Sequence, residues 1–158
     1  ATARTAVQTA DGIVWAVNPQ NDSLSHLANY LVHFAEDFFR LTDIRCRLDI
    51  PVLLPGIPIS ANQRHHLLLA TKEACNNVAR HSGATEVWVR LTVTEDQFSI
   101  AVEDNGHGFN LESVPADHDG LLNIQQRLAD LGGRVELQSA PGQGTRVRII
   151  APLTPQKK

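Results

Sequence analysis

The chain has 158 residues, a length that suits one domain with a sizeable hydrophobic core. Its formal net charge is −3 and it has no basic block, so a nucleic-acid-binding surface is not expected. No apolar run approaches the ~20 residues of a membrane span, and no signal-peptide pattern stands at the start. Its two cysteines, Cys46 and Cys75, lie in apolar-periodic segments. This favours buried thiols in a reducing, cytoplasmic compartment over a disulfide or a zinc site.

Two helical segments are predicted before the first strand. Residues 1–17 are rich in alanine and threonine and could form a helix that stops before Pro19, because the residue before a proline avoids the α region. Asp22 or Ser23 is then expected to cap a helix that runs to about residue 41, because leucines and phenylalanines recur there at helical spacing.

A strand and a second long helix follow. Residues 44–50 alternate strictly between apolar and polar side chains, as a half-buried strand does. After a proline-rich loop, Ser60 and Gln63 form a capping-box pattern that opens a helix, and the dipeptide Ser82-Gly83 is expected to end it.

The second half of the chain predicts two β-hairpins separated by a polar loop and a third helix. The expected bounds are 86–93 and 97–104 for the first hairpin, 105–119 for the loop, 120–131 for the helix, and 134–140 and 145–152 for the second hairpin. Strands that pair mostly as hairpins, with helices that can cover one face, predict an α/β (α+β) fold. The expected architecture is a two-layer sandwich with a mixed, mostly antiparallel sheet.

The second helix carries polar residues at a spacing that has two interpretations. Glu73, Asn77, Arg80 and His81 lie three to four residues apart, so they share one stripe of the helix. A single Glu–Asn pair of this kind is most often a solvated face. Asparagine is a poor residue in mid-helix, however, and Asn76 and Asn77 are adjacent. This favours a need for an amide oxygen, a ligand that suits Mg²⁺ already surrounded by phosphate oxygens and water.

The stretch EDNGHGF, residues 103–109, ends the second predicted strand with residues that tolerate a tight turn. No strand returns directly after it, so the stretch opens a loop instead of a hairpin. Taken alone, Asp104 is equally well explained as an acid that caps the turn.

Four motifs in this order resemble those of the ATP-binding catalytic domain of sensor histidine kinases. They are KEACNNVARHSGA (72–84), EDNGHGF (103–109), DGLLNIQQRLADLGG (119–133) and PGQGTRVRI (141–149). The resemblance covers about residues 10–152 and is closest to kinases that pair with LuxR-type response regulators. It implies the Bergerat-type fold that histidine kinases share with gyrase, the mismatch-repair ATPases and the ninety-kilodalton heat-shock chaperone.

The resemblance also implies a site for ATP and Mg²⁺. Asp104 matches the aspartate that accepts from the adenine amino group, and Asn77 matches the Mg²⁺ ligand. Glu73 matches the acid that polarises the attacking group and so acts as a general base. Gly106 and Gly108 match the glycines that let the backbone pass close to the purine.

Of three further matches, two have a second interpretation. Arg80 and His81 match positions near the phosphates, although His81 could be an ordinary histidine at a helix C-terminus. Thr145 matches a threonine whose hydroxyl completes the adenine–water network, although it could be an ordinary β-branched strand residue.

The end of the polar loop 105–119 both fits and departs from the family pattern. Gly120 is expected to present the backbone N–H groups of Leu121 and Leu122 to phosphate oxygens. The chain has HDGL where such kinases often have G-N-G-L, so one glycine is missing and the Asp119 carboxylate is expected near the phosphates. This departure could weaken nucleotide binding.

The phosphoacceptor histidine of the family is not recognisable in this sequence, since His26 and His33 lack the R-x-x-H-[DE] pattern. We therefore expect an excised catalytic domain. Residues 1–19 would be the remnant of a dimerisation helix and linker, 20–153 the ATP-binding catalytic domain, and 154–158 a polar tail.

The leading hypothesis is the catalytic domain of a two-component sensor histidine kinase, which transfers the γ-phosphoryl group of ATP to a histidine on a separate dimerisation domain. Its expected partners are ATP, that phosphoacceptor domain and, indirectly, a LuxR-type response regulator, but not nucleic acid. We expect a monomeric, cytoplasmic fragment whose parent could be anchored to the membrane. A nucleotide-sensing module without turnover and a serine kinase of the anti-sigma-factor type remain alternatives.

Overall fold

A computed structural model of the chain contains a five-stranded mixed sheet with two long helices packed on one face. It describes residues 23–51, 54, 56–110, 125–126 and 128–153. The elements are α1 (Leu24–Arg40), β1 (Arg45–Asp49), α2 (Ala61–Asn77), β2 (Glu86–Val93), β3 (Gln97–Asp104), β4 (Arg134–Ser139) and β5 (Thr145–Pro152). The predicted two-layer α+β architecture is confirmed.

The sheet has the strand order β1-β2-β3-β5-β4. β1 and β2 are parallel, and the other three neighbouring pairs are antiparallel, as the prediction of a mixed, mostly antiparallel sheet requires. Both predicted hairpins form. The pairing of β3 with β5 joins the two hairpins and places Asp104 opposite Thr145.

Side chains cap both long helices at their N-termini. Ser23 is the N-cap of α1, where its Oγ accepts from the backbone N–H of His26. Ser60 Oγ accepts from the Gln63 N–H at 3.1 Å, as the capping box predicts. The second half of that box does not form, because Gln63 Nε2 donates to the carbonyl of Pro152 at 3.3 Å. Gln63 therefore ties the start of α2 to the end of β5.

The hydrophobic core lies between the helices and the inner face of the sheet. One face of α2 is buried in this core, since Leu67, Ala70, Ala74 and Val78 are all nearly inaccessible to solvent. Leucines and Phe39 of α1 pack beside them, and alternate residues of the strands complete the core. The inner sheet residues are Val87, Val89, Leu91, Phe98, Ile100, Val102, Val147, Ile149 and Ala151.

The helical segment that begins with α2 ends in a turn that is not α-helical. α2 ends at Asn77, and Val78–Ser82 forms one turn of π-helix before Gly83 at φ 65°. The Ser82 hydroxyl donates to the Val78 carbonyl at 2.6 Å, which is the acceptor that the Ser82 N–H would use in an α-helix. The predicted end at Ser82-Gly83 is therefore correct for the helical segment, but its last turn is wider than predicted.

The third predicted helix is described in its C-terminal part. Residues 125–126 and 128–130 are helical, and Gly133 N–H closes the helix on the Leu128 carbonyl at 2.8 Å. Leu128 is buried in the core. The predicted segments 1–19, 111–124 and 154–158 lie outside the described residues. No helix in the described part of the chain is both long and apolar enough to cross a membrane.

Truncation of Ile149 to alanine should test the sheet register directly. Ile149 lies on β5 opposite Ile100 and is fully buried, so Ile149→Ala should lower the free energy of unfolding by about 2–5 kcal/mol. Thr92→Val, on the exposed side of β2, should change it by no more than about 0.5 kcal/mol. Urea unfolding of both variants measures this. Equal effects of the two substitutions would contradict the register.

Candidate functional site

A cleft lies between the C-terminal end of α2, the turn after β3 and the start of β5. About 30 Å³ of it is wide enough for a water molecule. Its walls are largely apolar, and its polar side chains are few, as in sites that bind flat organic ligands. The apolar lining includes Val78, Val102, Phe109, Leu137 and Val147, and the polar lining is Asn77, Ser82, Asp104 and Thr145.

Asn77 brings an unpartnered amide to this cleft. The residue is 9% exposed, and neither its Oδ1 nor its Nδ2 has a hydrogen-bond partner among the described residues, although both atoms are buried. A buried amide without partners costs free energy, so natural proteins keep one mainly where a ligand satisfies it. Asn76, its neighbour, is exposed. The two adjacent asparagines therefore differ, and Asn77 alone lines the cleft.

Glu73 and Arg80 lie on either side of Asn77 along the same helical segment. Their closest atoms, Glu73 Oε2 and Arg80 Nη2, are 3.9 Å apart, and the Arg80 side chain is more than half exposed. An ion pair of this length and exposure contributes little to stability. Neither side chain is therefore held rigidly, and both are accessible beside the cleft. The side chain of His81 lies outside the described part of the structure.

Asp104 is the last residue of β3 and is 8% exposed. Its Oδ1 accepts from the Gly106 N–H at 2.8 Å, so the turn-capping interpretation is correct. Burial raises the pKa of the Asp104 carboxyl above its ordinary value, while the backbone N–H groups of Gly106 and Thr145 and the charge of His107 oppose that rise. A carboxylate held in a largely apolar cleft is a strong hydrogen-bond acceptor for a ligand.

The two glycines after Asp104 are required by close backbone packing. A Cβ on Gly106 would overlap the Ser82 carbonyl, and a Cβ on Gly108 would overlap the carbonyl of Ala140. Gly108 also has φ 65°, a conformation that disfavours other residues. The backbone after Asp104 thus passes between the end of the π-helix and the β4–β5 turn. At Gly108 this backbone lines the cleft.

Asn105 and His107 fix this turn to the last residue of the π-helix and to the segment that follows it. Asn105 Oδ1 accepts from the N–H groups of Thr85 at 2.9 Å and Glu86 at 3.0 Å. The His107 N–H donates to the Ser82 carbonyl at 2.7 Å. Sequence reasoning missed these positioning roles. The signal was the asparagine in Asp-Asn-Gly, whose side chain readily bonds backbone groups.

The residues predicted from the motifs fall into three groups in the structure. Asn77, Asp104, Gly108 and Thr145 line the cleft together. Gly106, Glu73 and Arg80 do not line it: Glu73 and Arg80 lie about one helical turn from Asn77, and Gly106 follows Asp104 in the turn after β3. Gly120, Leu121 and Leu122 lie outside the described residues.

Asn77 also fits the predicted Mg²⁺ site. Within the described ranges, no three His, Cys, Asp or Glu side chains form a group that could hold a metal ion. Asn77 offers one uncharged oxygen that has no other partner. Such a ligand suits a Mg²⁺ ion whose remaining ligands are phosphate oxygens and water.

Residues 62–155 match the model of the protein family described as histidine kinase-, DNA gyrase B-, and HSP90-like ATPase. The matched residues make up more than half of the chain and contain α2, the turn after β3 and the start of β5. The chain belongs to this ATPase family.

Curated relatives of this ATPase-family chain include bacterial sensor proteins. It is 35% identical over 111 residues to the sensor histidine kinase LiaS of Bacillus subtilis, a match that covers 70% of this chain and 31% of that protein. It is 37% identical over 92 residues to the sensor protein VraS of Staphylococcus epidermidis, covering 58% of this chain and 26% of VraS. The matches thus span less than a third of these relatives.

Solved histidine kinase structures share the fold of this ATPase-family chain. The histidine kinase domain of the EL346 blue-light activated histidine kinase from Erythrobacter litoralis superposes with a TM-score of 0.65 at 21% identity, over 80% of this chain and 61% of that one. The histidine kinase AdeS from Acinetobacter baumannii has a TM-score of 0.63 at 16% identity, over 94% and 77% of the two chains. At these identities the likeness establishes the fold alone.

Replacement of Asp104 by asparagine should stabilise the protein without ligand at neutral pH. Because its folded-state pKa lies above the unfolded-state value, the folded chain binds the proton more tightly. The free energy of unfolding therefore decreases as pH rises from about 4 through the raised pKa. Asp104→Asn removes this buried charge, and its amide oxygen can still accept from the Gly106 N–H.

Thermal unfolding at pH 7 and pH 3 measures this effect. Asp104→Asn should unfold at a higher temperature than the parent at pH 7, and the difference should shrink at pH 3. Asp49→Asn, at an exposed position of β1, provides the control. A parent that is the more stable protein at pH 7 would show that the carboxylate stabilises the fold.

Proposed function

We propose that this chain is the ATP-binding catalytic domain of a two-component sensor histidine kinase. It would bind ATP with Mg²⁺ and transfer the γ-phosphoryl group to a histidine on a separate dimerisation domain. One observation carries the proposal: a buried amide without partners, Asn77, and a buried carboxylate, Asp104, line a single apolar cleft. Membership of the ATPase family and the sensor-kinase relatives support the same function.

The Asp104 end of the cleft suits adenine. The apolar side chains of Val78, Val102 and Val147 provide faces for a flat ring, and the carboxylate accepts hydrogen bonds. Adenine offers an amino group at its 6 position, whereas guanine offers a carbonyl that would face the carboxylate. Asp104 would therefore select ATP over GTP, because an unsatisfied or repelled polar group in a buried site is costly.

The Asn77 end of the cleft would then receive the phosphates. Asn77 Oδ1 would hold Mg²⁺, which neutralises phosphate charge when bound. Arg80 and His81 would lie near the phosphates, and Gly120 would present the N–H groups of Leu121 and Leu122 to them. Glu73 would accept the proton of the attacking histidine nitrogen as its bond to phosphorus forms. Transfer of this kind depends mainly on positioning and charge stabilisation.

The partners and the parent protein are part of the proposal. The chain spans less than a third of its curated sensor relatives, so residues 20–153 would be one domain of a larger kinase. Residues 1–19 would be the linker from its dimerisation domain, and 154–158 a polar tail. The parent would signal through a response regulator of the LuxR type, with this domain in the cytoplasm.

Replacement of Asn77 by alanine should abolish the Mg²⁺-dependent part of ATP affinity and leave the fold intact. No hydrogen bond of the protein is lost, and alanine is the better helix former, so stability should stay the same or rise by up to about 1 kcal/mol. Calorimetric titration with a non-hydrolysable ATP analogue, with and without Mg²⁺, measures the affinity. Asn76→Ala, on the exposed side of the same turn, should bind as the parent does. An unchanged Mg²⁺ effect in Asn77→Ala would refute the metal assignment.

The chain alone should bind ATP but should not phosphorylate itself. Four described histidines lie on the long helices and do not line the cleft: His26, His33, His65 and His66. His65 and Asn77 are about 18 Å apart along the axis of α2, too far for the in-line attack that phosphoryl transfer requires.

Incubation with γ-labelled ATP tests this, with and without a separately expressed dimerisation domain from a sensor-kinase relative. Acid-labile label should appear on the added domain alone. Label on this chain would place the acceptor histidine within it. Nucleotide binding without label on any added domain would instead favour the nucleotide-sensing alternative.

A further inference from the structure

Ser139, the last residue of β4, joins three parts of the cleft through one hydroxyl group. Its Oγ accepts from the Phe109 N–H at 2.8 Å and donates to the Gly144 carbonyl at 3.0 Å. It also lies 2.9 Å from the Thr145 hydroxyl oxygen. Ser139 thus links the backbone beyond the β3 turn, the β4–β5 turn and the first residue of β5.

These three contacts determine the direction of each hydrogen bond. A serine hydroxyl has one proton and two lone pairs. The Gly144 carbonyl can only accept, so it takes the Ser139 proton, and the Phe109 N–H can only donate, so it uses one lone pair. The Thr145 hydroxyl must therefore donate its own proton to the remaining lone pair. All three bonds form only in this arrangement.

The Thr145 oxygen is consequently left with lone pairs and no proton for a ligand. Thr145 lies opposite Asp104 in the β3–β5 register, and both residues line the cleft. An ionised carboxylate is likewise an acceptor only. The two side chains together offer hydrogen-bond acceptors and no donor at this end of the cleft.

We propose that Ser139 is a positioning residue for purine selection: it holds the Thr145 hydroxyl as an acceptor, so that Thr145 and Asp104 together favour a 6-amino purine over a 6-oxo purine. The inference rests on the proposed ATP-binding function. Ser139 lies outside the four motifs and would not touch the ligand. It would act through Thr145, whose hydroxyl would bond the purine amino group either directly or through a bound water.

The ratio of the dissociation constants for ITP and ATP is the readout that tests this role. The two nucleotides differ at two neighbouring purine positions. ATP has an amino group at position 6 and no proton on N1, whereas ITP has a carbonyl at position 6 and a proton on N1. In Ser139→Ala the Thr145 proton is free to turn toward the ligand and donate to the ITP carbonyl. The ratio should therefore fall by about threefold to tenfold, the effect of one net hydrogen bond.

Two variants control for the loss of a hydroxyl group. Ser139→Thr keeps the hydroxyl and should retain most of the parent ratio. Ser99→Ala removes a buried hydroxyl from β3 on the outer side of the sheet, and should leave the ratio unchanged. Because a purely structural role would weaken both nucleotides equally, only the proposed role moves the ratio.

A double-mutant cycle tests whether the effect passes through Thr145. Thr145→Val should lower the ratio by itself, and Ser139→Ala in that background should change it no further. An additional fall would show that Ser139 acts by another route. Hydrogen exchange at the Phe109 amide should also accelerate in Ser139→Ala, because that amide loses its acceptor.

The possible outcomes separate this inference from the proposed function. A parent chain that binds neither nucleotide, or both equally, would contradict the adenine site itself. A selective parent whose Ser139→Ala variant loses ATP and ITP affinity equally would overturn only the role of Ser139. If Ser139→Ala fails to fold, Ser139→Cys supplies a weaker hydrogen-bonding group of similar size, and an undiminished ratio in that variant would also overturn it.

Discussion

The antiparallel pairing of β3 with β5 is the constraint on which the rest of the structure depends. It joins the two hairpins into one sheet, and its inner residues, among them Ile100, Val102 and Ile149, form the centre of the core. Its last pair places Asp104 opposite Thr145, so one register determines both the core and the polar end of the cleft. A shift by one residue would turn each of these side chains to the other face of the sheet.

The cleft retains polar groups at the expense of stability. Asn77 has a buried amide without partners, and burial penalises the charge of Asp104. Both groups are supported by rigid surroundings, since Asn105 and the Ser82 carbonyl tie the turn after β3 to the segment after the π-helix. Unsatisfied and desolvated polar groups held in this way are typical of binding sites, where a ligand supplies the missing partners.

Local pattern in the sequence was sufficient to predict most elements and the principal site residues. β2, β3 and β5 have the predicted bounds. Alternation of apolar and polar residues indicated β2 and β3, and the Pro/Gly-rich turn before Thr145 indicated the start of β5. The motif resemblance brought Asn77, Asp104 and Thr145 to one site, and the cleft contains all three. Their roles in binding remain predictions.

The features that the sequence did not reveal depend on contacts between distant segments. The turn after β3 bonds to the π-helical turn through the His107 N–H and the Ser82 carbonyl, Gln63 bonds to Pro152 instead of completing its capping box, and Ser139 bonds across the β4–β5 turn. A serine or glutamine in an isolated sequence gives no indication of which backbone group it will reach. Only the tertiary arrangement selects among those partners.

The central claim is that this cleft is an adenine-nucleotide site. An amide NMR titration of the isotopically labelled chain with ATP and Mg²⁺ tests it most directly, with GTP and Mg²⁺ in a parallel sample. An adenine-nucleotide site predicts saturable shifts with ATP that are concentrated at Asn77–Ser82, Asp104–Phe109 and Gly144–Thr145, and much weaker shifts with GTP. Equal responses to ATP and GTP, or shifts concentrated around Trp88 and Arg146 on the opposite face of the sheet, would contradict it.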